Sequence, residues 1–147
     1  PIGLGLVRIG NFLNGELFGR PTNGEWGFIF PTDPLGIPRH PSQLYECFLE
    51  GIILFFVLNY IARQNVAKGV TASALLIFYG LFRFIVEFFR QPDIHIGLMA
   101  FDLSMGQILS LPMMIIGLVL VVVFQRNNAT ISWSFRRNSH QWRNKRR

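Results

Sequence analysis

The sequence predicts an all-α, polytopic integral membrane protein with about three transmembrane helices and a Gly-rich, membrane-embedded N-terminal segment. Two observations predict this class. Half of the 147 residues are hydrophobic, 15 Phe are among them, and the mean hydropathy is +0.35. Three apolar windows, at residues 44–62, 70–89 and 104–124, are long enough to cross a hydrocarbon core of roughly 30 Å, which takes about 20 helical residues.

The N-terminal segment combines glycine with large apolar residues. Its glycines lie at positions 3, 5, 10, 15 and 19, between Leu, Ile and Phe. Glycine lets a neighbouring helix or a ligand approach the backbone closely. If the segment is helical, Arg8, Asn11 and Asn14 share a face, whereas Glu16 falls on another. Residues 20–38 follow, and their Pro and Gly content is typical of an external loop.

The first predicted span, residues 44–62, carries acidic residues near its start. Ser42 is placed to cap the first turn, and Glu46 to accompany it. Glu46 and Glu50 are costly in a bilayer, so this span depends on neighbouring helices that shelter their charge.

The second predicted span contains both signs of charge. Four polar side chains recur in it at helical spacing: Tyr79, Arg83, Glu87 and Arg90. They would line one helix face, where the ions can pair and face an interior or a watery cavity. Because charge inside a membrane indicates function, this face is the first candidate site. The third span has no charge between Asp102 and Arg126.

The distribution of Lys and Arg predicts the orientation, because cytoplasmic flanks are enriched in them. Arg63 and Lys68 bound the loop after the first span, and residues 126–147 carry Lys and Arg but no acidic residue. We expect both segments to be cytoplasmic, which leaves residues 1–43 and the 90–103 loop outside. The tail, 126–147, is predicted to be a disordered topology anchor, with attachment to nucleic acid or anionic lipid as the alternative.

Four arginines oppose the charge rule on the external side: Arg8, Arg20, Arg39 and Arg90. They suggest an anionic ligand near the outer face, with ordinary pairing to acids as the alternative. The single cysteine, Cys47, excludes an intrachain disulfide framework, and we interpret it as a buried spectator and not a nucleophile. The three histidines lack metal-ligand spacing and the sequence has no nucleotide-binding loop, so we expect no metal or other cofactor.

Four sequence blocks carry a resemblance to a known family. The first is VRIGNFLNGELFGR at residues 7–20, and the others follow in order at 39–46, 79–93 and 104–110. Together they resemble the bacterial prolipoprotein diacylglyceryl transferases. The resemblance implies transfer of a diacylglyceryl group from phosphatidylglycerol to the lipobox cysteine thiol of a prolipoprotein, at the outer face of the bacterial inner membrane. The implied partners are phosphatidylglycerol, the prolipoprotein signal peptide and the lipid bilayer, and no nucleic acid.

The implied reaction explains the arginines. A substrate thiolate attacks a glycerol carbon and a phosphate ester leaves, so the enzyme must hold an anionic head group and stabilise charge on the leaving group. Arginine suits both tasks through its planar and permanently charged fork. The nucleophile belongs to the substrate, in agreement with the interpretation of Cys47.

The resemblance also implies the site residues. Arg8 matches a phosphatidylglycerol-binding arginine and Arg83 a second essential arginine, while Asn11, Glu16 and Gly19 match other functional positions. The candidate phosphatidylglycerol-binding residues are Arg8, Asn11, Gly19, Tyr79, Glu87 and Arg90, and the candidate catalytic residues are Arg83, Glu16 and His40.

Helical spacing adds hypotheses about individual roles. Glu87 would orient Arg83, and Tyr79 would offer its hydroxyl to the head group. His40 or Glu16 would accept the thiol proton, since histidine titrates near neutral pH. The alternative for Glu16, Tyr79 and Glu87 is pairing that only completes helix contacts.

Family members carry further helices and a His-Gly-Gly motif ahead of the signature block. Residues 1–125 are therefore expected to be the C-terminal part of a multi-span transferase, whose other part would supply catalytic and lipid-enclosing residues. Two alternatives come from other classes. One is a transport or receptor fragment in which Arg83 and Glu87 line a solute pathway. The other is a structural anchor whose basic tail binds anionic lipid or RNA.

Overall fold

The chain is largely helical, which confirms the predicted all-α class. The computed structural model describes residues 1–64, 66–91 and 103–144, with side chains as far as residue 127. The helices are α1 (Ile2–Leu13), α2 (Ser42–Glu46), the π-helix π1 (Cys47–Ile53), α3 (Leu54–Arg63), α4 (Val70–Val86) and α5 (Met105–Asn144). The strands are β1 (Phe28–Ile29) and β2 (Pro38–Arg39), which pair antiparallel.

Two helices in the described residues are long and apolar enough to cross a membrane. One is the continuous helix Ser42–Arg63, made of α2, π1 and α3 and called the central helix below; the other is α5 as far as Asn127. They correspond to the first and third predicted spans. The π-helical turns within the central helix are of a kind that occurs frequently at functional sites.

The second predicted span is shorter than expected. α4 has 17 residues and ends at Val86, because the next three residues form a turn. Arg90 then forms an isolated antiparallel bridge with Gly19. The prediction that Arg90 extends the polar face of this helix is therefore wrong, since the chain has already left the helix.

The two ends of the chain also differ in part from expectation. The Gly-rich segment is helical over α1, as its spacing allowed. α5 continues as a helix to Asn144, whereas the tail, 126–147, was expected to be disordered. Residues 145–147, His95 and the 92–102 part of the predicted external loop lie outside the described residues.

Glycines bring the helix backbones into close contact at two crossings. A Cβ on Gly51 of π1 would lie 2.9 Å from the Cα of Gly5 on α1. A Cβ on Gly117 of α5 would lie 2.6 Å from Cγ1 of Ile77 and 2.9 Å from the carbonyl oxygen of Ser73, both on α4. Separations below 3 Å leave no room for a side chain, so these helix pairs require glycine.

The segment predicted to be an external loop forms a short hairpin beside the end of α1. Phe12 of α1 packs on Phe28 of the hairpin with ring centroids 5.2 Å apart, and both contact the buried Phe30. Phe18 stacks on Phe30 from the other side, at 5.4 Å. This aromatic cluster fixes the loop to the helix that carries Arg8.

Arg39 fixes the hairpin from its second strand. Its Nε lies 2.6 Å from Oδ2 of Asp33, and its Nη2 donates to Oδ1 at 3.1 Å. Nη1 donates to Gln91 at 3.1 Å, and the guanidinium lies 4.8 Å from the centre of the Phe18 ring. Arg39 is only 4% exposed. For this arginine the alternative of ordinary pairing with an acid is correct.

We expect Gly117→Ala to lower the thermal midpoint of the detergent-purified protein. The new methyl group overlaps Ile77 and the Ser73 carbonyl, and overpacking of this kind costs about 1–3 kcal/mol. Gly3→Ala is the matched control, because a Cβ there meets nothing within 4 Å and both positions are helical. Equal midpoints for the two variants would contradict the close crossing of α4 and α5.

The Asp33–Arg39 pair predicts an acid-sensitive component of stability. The hydrogen bond that Arg39 donates to the Asp33 carboxylate lowers the pKa of Asp33. The pair therefore contributes stability above the ordinary aspartate pKa of about 3.9, and this contribution is lost as the pH falls through the lowered value. In thermal unfolding as a function of pH, Asp33→Asn should lose this component, and Glu25→Gln, an exposed acid in the same loop, should keep it. The same acid dependence in both variants would argue against the pair.

Candidate functional site

The candidate site lies where α1, the central helix and α4 meet around Glu46. Arg8 Nε lies 2.7 Å from Oε2 of Glu46, and Arg83 Nη1 lies 2.6 Å from Oε1 of the same carboxylate. The Glu46 side chain is 2% exposed and each arginine side chain 15%. One buried carboxylate thus joins arginines from two helices. We call Arg8, Glu46 and Arg83 the arginine clamp.

Two further carboxylates surround Arg83. Oε2 of Glu87 lies 3.3 Å from Nη2, so the pairing expected from their helical spacing is present. Oε1 of Glu50 lies 4.0 Å from Nη1, and neither oxygen of this fully buried side chain has a hydrogen-bond partner among the described residues. A buried carboxylate without hydrogen bonds is unfavourable for stability, so Glu50 becomes a candidate site residue beside Arg83.

The start of α5 supports Glu87. The Ser104 N–H donates to Oε1 of Gln107 at 3.1 Å, and the Gln107 N–H donates to Oγ of Ser104 at 3.3 Å, which is a reciprocal capping box. A Cβ on Gly106 would lie 2.6 Å from Oε2 of Glu87. The first turn of α5 therefore lies against this carboxylate, where the helix dipole favours negative charge.

The loop after α1 is anchored to the start of the central helix. The Ser42 hydroxyl donates to the Leu17 carbonyl at 3.1 Å, and the Gln43 amide donates to the Glu16 carbonyl at 2.5 Å. Pro41 is the N-cap, without a side-chain cap bond. The predicted capping role of Ser42 is therefore wrong, because its hydroxyl binds another segment. Leu17 has φ 57°, a conformation that a residue with a side chain rarely adopts unless its surroundings impose it.

Gly19 lies where three chain segments cross. Its N–H donates to the His40 carbonyl at 2.8 Å, and the Arg20 N–H donates to the Phe89 carbonyl at 2.9 Å. A Cβ on Gly19 would lie 2.5 Å from the Phe89 oxygen and 2.6 Å from the His40 oxygen. No side chain fits there, so this crossing requires glycine.

His40 is held in an aromatic setting beside this crossing. Its Nδ1 lies 3.3 Å from the Tyr45 hydroxyl, and its ring packs edge-on against Phe89 at 5.5 Å. The side chain is half-buried. Its described polar contact is with Tyr45, and it is not a member of the arginine clamp.

The remaining predicted residues lie around the clamp without joining it. Glu16 is exposed, and its carbonyl, not its carboxylate, contacts Gln43. Asn11 and Tyr79 are half-buried, about one helical turn from Arg8 and Arg83 respectively. The Arg90 carbonyl accepts a hydrogen bond from Arg20 Nε at 3.0 Å. The charged helix residues converge, whereas the loop residues serve mainly to connect segments.

Sequence reasoning missed Glu46 and Glu50 as site residues. Both were treated only as charges that neighbouring helices must shelter. A signal was present, because two acids four residues apart in an apolar span share one helix face. What the sequence lacked was the helix opposite that face.

Comparisons with known proteins match most of the chain. The family model for prolipoprotein diacylglyceryl transferase matches residues 1–123. The phosphatidylglycerol–prolipoprotein diacylglyceryl transferase of Geobacter sulfurreducens is 55% identical over 126 residues, which cover 86% of this chain and 48% of the relative. The enzyme of Aeromonas hydrophila is 56% identical over 84% of this chain and 44% of its own length. That of Mannheimia succiniciproducens is 52% identical over 89% of this chain and 49% of its own length. The chain spans about half the length of these curated relatives.

We expect Glu46→Gln to destabilise the protein strongly. Removing one member of a buried ion pair leaves its partners uncompensated, which costs about 3–5 kcal/mol. Glu16→Gln is the matched control, since the same change at an exposed position should stay within about 0.5 kcal/mol. Thermal and denaturant unfolding in detergent measures both. A Glu46→Gln variant as stable as the control would show that the clamp does not hold the helices together.

Proposed function

Since the chain belongs to the prolipoprotein diacylglyceryl transferase family, we propose that it is part of an enzyme that transfers diacylglyceryl from phosphatidylglycerol to the lipobox cysteine thiol of prolipoproteins. The chain is a largely helical membrane protein, as is the family. The observation that carries the proposal is the arginine clamp, which places two permanent cations side by side in an apolar setting. An anionic phosphodiester is the chemistry that such a pair recognises.

Arg8 binds the phosphate of the lipid. Within the described residues its ion-pair partner is Glu46, whose Oε2 lies 2.7 Å from Nε, and the Arg8 side chain keeps 15% of its surface exposed. Glu46 thus holds the guanidinium in place while the outer part of the fork binds. Asn11, on the same helix, Tyr79, on α4, and Arg90, beyond the end of α4, complete the head-group site.

Arg83 stabilises the leaving group. The substrate sulfur forms a bond to the glycerol carbon, the bond from that carbon to the phosphate oxygen breaks, and its electron pair stays on the phosphate. The leaving phosphate gains negative charge, which a fixed guanidinium stabilises more in the transition state than in the ground state. Glu46 and Glu87 contact Arg83 from two directions and orient it.

The thiol proton passes to His40 or to Glu16. His40 Nδ1 contacts the Tyr45 hydroxyl, and in the tautomer whose Nδ1–H donates to that hydroxyl, Nε2 is the nitrogen that accepts the proton. Glu16 is exposed at the loop after α1. Gly19 contributes by joining this loop to His40, beside the head-group site.

We place the enzyme in the bacterial inner membrane with the clamp toward the outer face. Glu46 lies near the start of the central helix and Arg83 near the end of α4, so both lie at the ends connected to the hairpin segment. Arg63, Lys68 and Arg126 lie at the opposite ends of the apolar helices, which supports a cytoplasmic C-terminus. The tail then serves as a topology anchor after the transferase part, residues 1–125.

A solute pathway is less well supported. Arg83 is bound across the helix interface by Glu46, and the carboxylates around it are almost fully buried. Within the described residues these charges close a helix contact and do not line an open path.

Arg8→Ala should slow transfer strongly. The assay uses membranes depleted of the endogenous enzyme, phosphatidylglycerol and a lipobox-cysteine peptide, with gel shift and mass spectrometry as readouts. It compares this chain with a version extended at its N-terminus by the matching part of the Geobacter relative. We expect a diacylglyceryl mass gain for the extended chain, and a rate about 100-fold to 1,000-fold lower for Arg8→Ala, the usual loss when one charge-stabilising donor is removed.

Arg63→Ala is the matched control, because this exposed arginine bonds Asn59 at the far end of the central helix. It should retain the parent rate. No mass gain from a folded and inserted extended chain would overturn the transferase function, and equal rates for Arg8→Ala and Arg63→Ala would overturn the role of the clamp.

A further inference from the structure

An apolar groove separates the start of the central helix from the end of α4. Its volume is about 360 Å³, and it is lined by Tyr45, Phe48, Leu49, Ile85, Val86 and Phe89. Phe48, Ile85 and Phe89 are 55%, 40% and 42% exposed. The groove is therefore open at the surface of the described residues.

The groove and the charged site share the same two helices. Tyr45 and Val86 line the groove, and their sequence neighbours Glu46 and Glu87 contact the arginines. Consecutive residues of a helix point about 100° apart, so the groove lies on the faces next to the site. A molecule with an anionic group at the clamp can place an apolar part in the groove.

The polarity of the groove favours a hydrocarbon chain over an extended peptide. An extended peptide would need partners for its N–H and C=O groups. The lining offers one polar group, the Tyr45 hydroxyl, and this group is already bonded to His40.

We propose that this groove binds one acyl chain of the diacylglyceryl lipid, and that Phe48 and Ile85 determine which chains it accepts. The inference rests on the proposed function and deepens it, because the clamp holds the phosphate of the same lipid. The acyl chain lies between Phe48 on the central helix and Ile85 on α4, and the ring of Phe89 covers the end nearest His40.

Substitutions that fill or widen the groove test this inference in the extended chain. We expect Ile85→Phe to lower kcat/KM for dipalmitoyl-phosphatidylglycerol about tenfold relative to the dioctanoyl lipid, since one or two methylene groups in an apolar pocket change discrimination by this order. Ile85→Ala should shift the ratio the other way. Leu118→Phe is the matched control, because Leu118 is 56% exposed on α5 and lies outside the groove. It should keep the parent ratio.

Photocrosslinking gives a second readout that does not depend on turnover. Phosphatidylglycerol with a diazirine in one acyl chain should label residues 44–49 or 85–89, and Ile85→Phe should lose this adduct while Leu118→Phe retains it. An adduct elsewhere, or an unchanged chain-length ratio in Ile85→Phe, would overturn the groove assignment. A higher KM of Ile85→Phe for the lipobox peptide with both lipids alike would instead assign the groove to the peptide. Labelling of the groove without any mass gain would separate lipid binding from failure of the transferase function.

Discussion

The carboxylate of Glu46 is the interaction on which the site depends. It is buried, it belongs to the central helix, and its two oxygens bind arginines from α1 and from α4. Neither arginine would be stable in an apolar helix without a counter-charge, and the shared carboxylate brings the two guanidinium groups to the same place. The same contact therefore joins charged side chains of three helices and fixes the two cations to which the proposed function assigns the lipid phosphate.

The segments outside the helices hold this contact in place. Gly19 lets the loop after α1, the segment before the central helix and the end of α4 exchange backbone hydrogen bonds. Arg39 joins the hairpin to Gln91 beyond α4. This geometry requires glycine at position 19, because a side chain would block the crossing. It requires arginine at position 39, because a lysine could not make the bidentate contact with Asp33.

Charged and apolar surfaces are divided between adjacent faces of the same helices. On the central helix, Glu46 faces the arginines while Tyr45 and Phe48 line the apolar groove, and on α4 Arg83 shares the helix with Ile85 and Val86. A lipid is itself divided in this way, with an anionic head and apolar chains. The juxtaposition is what the proposed substrate requires.

The sequence by itself determined the helical membrane class, the position of two spans and the pairing of Arg83 with Glu87, because hydropathy and helical spacing are local properties that one chain segment carries alone. It did not determine the end of α4 at Val86, the binding of Ser42 to Leu17 or the central place of Glu46. Each of these depends on a partner distant in sequence: the bridge between Arg90 and Gly19, the loop carbonyl, and two arginines from other helices. Only the tertiary structure decides which of several buried acids faces a cation, since spacing along one helix fixes the face of a residue but not what packs against it.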